Sequence, residues 1–321
     1  MSRPASSTLA VEVRPYADAD EPAVLSLLRR TLGEGPTGAR TSAAFRWKHL
    51  DNPFGRSTMF VAEDAGRIVG FRALLAWRFR VGGATVRAMR PVDTATDPGM
   101  QGRGVFRTLT VTALAAVGGT TDLVFNTPND ASGPGYAKLG WRSVGTIPVR
   151  IVPRRPLRVA ARAPFAWEVL DELPPDLVAI DGVDGLVTDR TDRYLRWRYA
   201  DAPLGYRAVV ARVGGETVGI GVFRVRPRGR LWESTVSDVF VRPGDVRSAR
   251  RVIHAIRRAA DVDHVALSWP RGTTASRAAR VALRAPGGIH LMATVPRDGS
   301  PRIDPAALAS YAVSLGDLEV F

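Results

Sequence analysis

The chain has 321 residues, of which 45% are hydrophobic and 24% charged, and it contains no stretch of 18 uncharged apolar residues. This composition predicts a folded protein of two domains and argues against disorder and against a membrane protein. The chain has no cysteine and only four histidines, which excludes disulfides and cysteine nucleophiles and predicts no metal site. Its net charge is +14; the basic residues are almost all arginine, and the charge is shared evenly by the two halves of the chain, which favours a solvated surface over a nucleic-acid partner.

The first half predicts a mixed α/β sheet. In chain order its predicted elements are a strand at Val11–Arg14, a helix after Asp20-Glu21-Pro22, a helix containing Phe45 and Trp47, strands at Met59–Glu63, Ile68–Arg80 and Thr85–Thr96, a helix at Val105–Val117, a strand at Asp122–Asn126, a helical turn at Ser132–Leu139 and a strand from Trp141. Three antiparallel strands followed by a strand-to-helix crossover indicate an α/β (α+β) architecture. The first residues lack the apolar core of a signal peptide, so a cytoplasmic protein is expected.

The sequence contains an internal repeat. The matching positions are Arg46-Trp47, Pro53 and Gly55 with Arg196-Trp197, Pro203 and Gly205, then Val69-Gly70 with Val218-Gly219, and Asp93 with Asp238. The offset is 150 at first and becomes slightly smaller downstream, as loops of different length would produce. We therefore predict a duplicated domain, with a first copy over 1–152, a linker rich in Pro and Arg over 153–185 and a second copy over 186–321.

One loop carries the main chemical signal. The segment from Val92 to Phe106 runs from a strand through a glycine-containing loop directly into a helix. Unpartnered N–H groups at such a helix start form an anion site suited to a pyrophosphate, and Gly102 and Gly104 let the main chain approach it. The spacing fits neither a dinucleotide fingerprint nor a P-loop. A plain strand-to-helix turn remains the alternative.

Two motifs carry a family resemblance. Gln101, Gly104 and their spacing resemble the Arg/Gln-x-x-Gly-x-Gly/Ala loop of the GNAT acyltransferase superfamily, with Phe106 in place of the final small residue. The segment Asn129-x-x-Ser132-x-x-x-Tyr136-x-Lys138-x-Gly140-Trp141 resembles a second signature of that family. The likeness covers roughly 11–150 and extends weakly over 186–295. It implies two tandem GNAT-like domains, of which the second is degenerate because Val246-Arg247-Ser248-Ala249 replaces the glycine loop.

The resemblance implies acetyl-CoA as co-substrate and names its contacts. The residues implied in binding are Thr94, Ala95, Thr96, Gln101, Gly102, Arg103, Gly104, Val105, Phe106 and Asn129. In this family the third strand diverges from its neighbour, so that backbone groups near Thr94–Thr96 pair with the pantetheine arm and its carbonyl. Tyr136 is the candidate general acid for the departing thiolate. A tyrosine packed against the last strand, and a helix cap at Asn129, are the structural alternatives.

The general base is less well defined. Glu63, Asp93 and His49 could each relay a proton through water, and Glu63 is the leading candidate. Because Asp93 recurs as Asp238 in the copy without the loop, a structural role is favoured for both. The terminal carboxylate of Phe321 stays open as a base. The repeated Arg-Trp pairs favour packing over an acceptor platform.

Together these features predict an acetyl-CoA-dependent N-acetyltransferase that acts on a primary amine of a small molecule, sugar or peptide by direct transfer. Two alternatives stay open: an aminoacyl-tRNA-dependent (Fem-like) peptide ligase and a non-catalytic CoA-binding or scaffold protein. No membrane partner is expected, and homo-oligomerisation is left open, as are the acceptor and the acyl chain length.

Overall fold

The computed structural model describes residues 11–33, 40–153, 185–279, 282–296 and 304–318. The strands are β1 (Glu12–Pro15), β2 (Thr58–Asp64), β3 (Arg67–Val81), β4 (Ala84–Thr96), β5 (Leu123–Asn126), β6 (Arg142–Ile147), β7 (Arg150–Pro153), β8 (Leu186–Thr188), β9 (Arg207–Val213), β10 (Glu216–Arg228), β11 (Leu231–Val241), β12 (His264–Leu267), β13 (Leu283–Arg284), β14 (Ile289–Thr294) and β15 (Tyr311–Ala312). The helices are α1 (Glu21–Leu32), α2 (Ser42–His49), α3 (Val105–Val117), α4 (Gly133–Lys138), α5 (Asp192–Leu195), α6 (Val246–Ala259), α7 (Thr274–Ala278) and α8 (Leu315–Leu318), and a π-helical turn (Arg196–Ala200) continues α5.

The elements of the first half agree with the sequence prediction. The hairpin β2–β3, the strand β4 and the helix α3 lie where the hydrophobic pattern places them, and α3 has the predicted bounds. The predicted mixed α/β architecture is therefore confirmed. The segment predicted as a linker lies almost wholly outside the described residues, so the domain boundaries stay a prediction.

The described strands form two mixed sheets. The first has the order β1-β2-β3-β4-β5-β14-β6, with β8 on the far end of β3 and β15 beside β8, and the second has the order β13-β7-β12-β11-β10-β9. In each sheet one long antiparallel hairpin leads into a parallel neighbour, β4 with β5 and β11 with β12. The helices α3 and α6 form these two crossovers, as a parallel pair requires.

The two halves exchange one strand each. Strand β14, from the second half, lies between β5 and β6 of the first sheet, and β7, from the first half, lies between β12 and β13 of the second. Each sheet thus depends on backbone hydrogen bonds to the other half. The exchange was not predicted, because a strand of only four to six residues pairs with either sheet equally well.

A symmetric contact joins the two copies. The rings of Trp47 and Trp197 stack with centroids 5.1 Å apart. The Trp47 Nε1–H donates to the Trp197 carbonyl at 2.7 Å, and the Trp197 Nε1–H donates to the Trp47 carbonyl at 2.8 Å. Both side chains are buried in the main hydrophobic core. The reciprocal contact supports the predicted duplication and the packing role of the Arg-Trp repeats.

Within the described parts of the chain, no helix is long and apolar enough to cross a membrane.

Candidate functional site

A bulge and a divergence of strands define the site on β4. The register between β3 and β4 shifts between Phe71 and Ala73, which places Asp93 and Thr94 in a bulge, and Asp93 has a φ of 47°. On its other edge β4 pairs with β5 only at Ala88 and Met89. The later backbone groups of β4, at Thr94–Thr96, therefore have an edge that β5 does not occupy. This wedge is the arrangement that the family resemblance implies for a pantetheine arm.

The glycine loop leads from this wedge into α3. Gly102 and Gly104 have φ values of 77° and 84°, and Gly104 is the N-cap of α3 with no side-chain cap. A left-handed backbone favours glycine at both positions, and a Cβ at either would point into open space. Gln101 and Arg103 are exposed on the same turn. The first-turn N–H groups of α3 are thus available to an anion.

Phe106, the departure from the family loop, is accommodated by a second glycine. Its ring lies in the space that a side chain on Gly135 of α4 would need, 2.9 Å from an ideal Cβ there. The ring also meets Tyr136 edge-on with centroids 5.3 Å apart. Phe106 therefore joins α3 to α4, whereas Val105 beside it is buried against the sheet.

Tyr136 lies at the inner end of the wedge. It is 2% exposed and packs against Trp141, with ring centroids 4.8 Å apart. Its hydroxyl oxygen accepts a hydrogen bond of 2.8 Å from Nη1 of Arg72, which also donates to Oγ1 of Thr94 at 3.0 Å. The structure thus brings Tyr136 and the β4 bulge together through an arginine that sequence reasoning missed. A charge within the apolar run of β3 was the available signal.

The Asp93 carboxylate is held by basic groups on the opposite side of the bulge. Arg40 Nη1 and Lys48 Nζ donate to it at 2.7 Å each, and His49 Nε2 lies 3.1 Å away. Burial opposes ionisation, but Lys48, His49 and Arg40 together hold the pKa of Asp93 well below its usual range. Burial also lowers the pKa of His49, so this ring is neutral near pH 7. This geometry supports a structural role for Asp93, which pins the bulge.

The two remaining predicted residues make local contacts. Glu63 accepts hydrogen bonds from Arg14 Nε at 3.0 Å and Arg14 Nη2 at 2.9 Å, and it lies opposite Ile68, away from the bulge. Asn129 is exposed, and its Oδ1 accepts from the backbone N–H of Ser132 at 2.9 Å. The structure therefore does not bring Glu63 to Tyr136, and it places Asn129 as the cap of the turn before α4, whose own N-cap is Ser132.

A second buried arginine ties the chain's last described helix to the same sheet. Arg90 on β4 donates to the carbonyls of Asp317 and Leu318 at 2.7 and 2.8 Å. Burial lowers its pKa to about 10, and the charge of Arg198 acts in the same direction. Phe321, the alternative base, lies outside the described residues.

The second copy differs from the first at the start of its crossover helix, where the first copy has the candidate anion site. Its crossover helix α6 begins at Asp245, whose carboxylate accepts from the backbone N–H of Ser248 at 2.9 Å. A negative charge therefore occupies the position that an uncapped glycine has in α3. At the equivalent of Asp93, Asp238 pairs with Arg190 at 2.7 Å and accepts a hydrogen bond from Tyr199. No group of side chains that could hold a metal ion is present among the described residues of either copy.

Comparisons with known proteins concern the first half of the chain and the overall fold. Residues 12–144 match the family model described as an acetyltransferase (GNAT) domain. No curated protein shows significant sequence similarity to the chain.

Solved structures resemble the chain over most of its length at low identity. A GCN5-related N-acetyltransferase from Anabaena variabilis is 13% identical with a TM-score of 0.63, over 89% of this chain and 73% of that one. One from Kribbella flavida is 13% identical with a TM-score of 0.56, over 96% and 81%. The N-myristoyltransferase of Saccharomyces cerevisiae, solved with myristoyl-CoA, is 11% identical with a TM-score of 0.60, over 94% and 87%. At these identities the likeness shows a shared fold that spans both sheets.

Proposed function

We propose that the chain transfers an acetyl group from acetyl-CoA to a primary amine of a small molecule, sugar or peptide, on the premise that residues 12–144 match a GNAT acetyltransferase domain. The observation that carries the proposal is the uncapped, glycine-lined start of α3 beside the wedge between β4 and β5. In the described residues the second copy has no comparable start, since Asp245 caps α6. We place acyl transfer in the first copy.

The residues present fit an acyl-CoA. Main-chain N–H groups of Gly102, Gly104 and Val105 would hold its pyrophosphate, because the two glycines leave the approach open and the helix dipole favours an anion there. The free edge of Thr94–Thr96 would hold the pantetheine arm by backbone hydrogen bonds. When bound, the thioester supplies the activated acyl group.

Tyr136 would supply the proton that the leaving sulfur needs. Its one hydrogen bond among the described residues uses the phenol oxygen as acceptor, so the O–H proton is available to the wedge. Its burial keeps bulk water from the phenol, and its packing on Phe106 and Trp141 fixes the ring. The N–H groups of the β4 bulge would face the thioester carbonyl.

Glu63 remains the candidate base only through a relay, because both of its hydrogen bonds go to Arg14. Glu63→Gln separates the two roles. A relay predicts a lower kcat with unchanged unfolding, whereas an ion pair alone predicts unchanged kcat.

A free-thiol assay tests the reaction. Purified protein with acetyl-CoA should release CoA thiol in the presence of at least one amine from a panel of polyamines, aminoglycosides, amino sugars and peptide N-termini. Tyr136→Phe should lower kcat by about 10²-fold or more, the usual contribution of a general acid. Release by no amine would support the scaffold alternative, and full activity of Tyr136→Phe would refute the assigned acid.

Two variants of one glycine test the pyrophosphate site. Gly104→Glu puts a carboxylate at the start of α3 and should abolish CoA binding measured by calorimetry. Gly104→Ala has the same backbone strain at a φ of 84° but adds no charge and meets no neighbour, so it should weaken binding far less. Equal affinities for wild type and Gly104→Glu would refute the loop assignment.

A further inference from the structure

Arg72 is a buried cation at the centre of the first copy. It lies in the middle of β3 and is 0% exposed. Besides its hydrogen bonds to Thr94 and Tyr136, its guanidinium carbon lies 5.5 Å from the ring centroid of Phe106 and 5.1 Å from that of Tyr136. The side chain therefore fills the space between the β4 bulge and α4, where the wedge ends.

One edge of this guanidinium has no partner. Nε and Nη2 of Arg72 are buried and make no hydrogen bond within the described residues. These two N–H groups form the edge of an arginine that binds an anion with two parallel hydrogen bonds. A buried cation that lacks a counter-charge is costly, and hydroxyl groups and aromatic rings offset that cost only in part. The stability of the fold therefore does not explain a buried charge at Arg72.

The duplication supplies an independent comparison. With the offset that relates Val69-Gly70 to Val218-Gly219, the position of Arg72 corresponds to Gly221 on β10. There α6 lies directly on the strand, so that a Cβ on Gly221 would meet a Val252 methyl at 2.5 Å. In the second copy the helix thus packs directly on the strand, with no cation at this position. Arg72 occurs in the copy that also has the glycine loop and the tyrosine.

We infer that Arg72 stabilises the departing CoA thiolate and orients Tyr136 to protonate it. The inference rests on the proposed function. As the amine nitrogen bonds to the thioester carbon, the C–S bond breaks and its electron pair goes to sulfur. The Tyr136 O–H proton passes to that sulfur. The phenolate left behind takes a proton from solvent after CoA has left the wedge, and the surplus proton of the amine also passes to solvent. Negative charge on the sulfur, then on the phenolate, is the counter-charge that Arg72 lacks at rest.

Arg72 thus acts on two atoms in succession. Because Nη1 donates to the phenol oxygen, that oxygen cannot direct its own proton toward Arg72, and the proton is left for the wedge. The positive charge then favours each anionic species in turn, and does so most strongly in a site without water. It is a positioning residue for Tyr136 and an electrostatic partner of the leaving group.

The ionisation of bound CoA tests the inference without an acceptor amine. CoA is bound to the full chain and its thiolate is followed by ultraviolet absorbance as the pH is raised. Wild type should increase the acid dissociation constant of the bound thiol about tenfold over free CoA, as a nearby cation does for cysteine thiols. Arg72→Gln should remove that increase and Arg72→Lys should retain part of it.

Arg78→Gln is the matched control, since it removes the same charge from the same strand. Arg78 lies six residues from Arg72, about 20 Å along β3, is 39% exposed and sits 3.5 Å from Asp189. This variant should leave thiol ionisation unchanged. If wild type binds CoA but its thiol ionises alike in wild type and Arg72→Gln, the inference is wrong and the proposed function stands. If wild type binds no CoA, both are wrong.

Steady-state kinetics with the most active amine of the panel give a second readout. Arg72→Gln should lower kcat at least 30-fold, an order-of-magnitude value for loss of one charge-stabilising donor, with a KM for acetyl-CoA changed less than about threefold. Combined with Tyr136→Phe it should lower kcat little further, because both act on one leaving group. Additive losses would contradict the coupling. Arg72→Gln should unfold at the same temperature as wild type or higher, so a folding defect would also count against the inference.

Discussion

Replacing Asp93 by Asn tests whether an ion cluster holds the β4 bulge. Asn adopts a φ near 47° as readily as Asp, so the substitution removes a charge without straining the backbone. Arg40 and Lys48, which donate to the carboxylate at 2.7 Å, would then face a neutral amide. Breaking a buried pair in this way costs about 3–5 kcal/mol, which for a chain of this size lowers Tm by roughly 10 °C.

The pH dependence of that loss follows from the direction of the pKa shift. The pKa of Asp93 is lower in the folded than in the unfolded protein, so its stabilisation is complete above the unfolded pKa of about 3.9 and declines as the pH falls toward the folded value. The difference between wild type and Asp93→Asn should be constant from pH 7 to pH 5. At pH 3 it should have narrowed by about 1.3 kcal/mol, the unfolded-state protonation free energy for that pKa.

Asp238→Asn is the matched control in the second copy. Burial and the nearby Asp317 raise the pKa of Asp238, although Arg190 opposes them, so a neutral side chain is tolerated better there. In the Asp238→Asn variant, Arg190 would still have the Asp317 carboxylate as an ion-pair partner at 3.6 Å. Urea unfolding of both variants at pH 7 provides the measurement. A loss below about 1 kcal/mol for Asp93→Asn, or a loss no larger than that of Asp238→Asn, would refute the ion-cluster explanation.

Three further predictions concern the join between the copies and the second copy itself. Trp47→Phe and Trp197→Phe should each cost about 1–3 kcal/mol, because each removes one indole N–H donor from a backbone carbonyl. The double variant should cost less than the sum, because both substitutions weaken the same ring stack. A double-mutant cycle by urea unfolding measures the coupling, and strict additivity would contradict it. A fragment of residues 1–153 should show no cooperative unfolding by circular dichroism, since its sheet lacks β14. Mixing it with a fragment of residues 154–321 should restore the unfolding transition. A folded 1–153 monomer would count against the strand exchange. Asp245→Ala should cost about 1 kcal/mol of stability, because the helix loses its N-cap. The variant should still bind one CoA per chain. A second bound CoA would show that the Asp245 carboxylate alone blocks binding in the second copy.

Much of the first copy could be predicted from sequence because its signals are local. Alternation within β2 and β3, the 3.6-residue period of α3 and the glycines before it are each contained in a window of about fifteen residues. The wedge beside Thr94–Thr96 followed from the family resemblance, and the strand register agrees with it. These features depend on backbone geometry, which nearby residues determine.

Side-chain partners distant in sequence were beyond local reasoning. Glu63 led the candidate bases as a carboxylate on the second strand, yet Arg14, 49 residues earlier, donates both of the side-chain hydrogen bonds that the structure describes for it. Arg72 was overlooked because its partner Tyr136 is 64 residues away. A charged residue in an apolar run signals burial with a partner, but only the packed structure identifies that partner.

By itself the sequence determined that this protein is an α/β chain with a glycine-lined helix start in its first half, and it predicted a duplication whose second copy lacks that start. The tertiary structure alone decided that β7 and β14 are exchanged between the sheets and that Trp47 and Trp197 stack across the join. It also decided that Arg72 lies against Tyr136 with an edge to which no described residue bonds. The physical reason is the sequence separation of the interacting residues, because turns, caps and periodicity are fixed by residues close in sequence. The sheet that a short apolar strand joins, and the charge that a buried side chain meets, depend instead on the free energy of the whole packed chain.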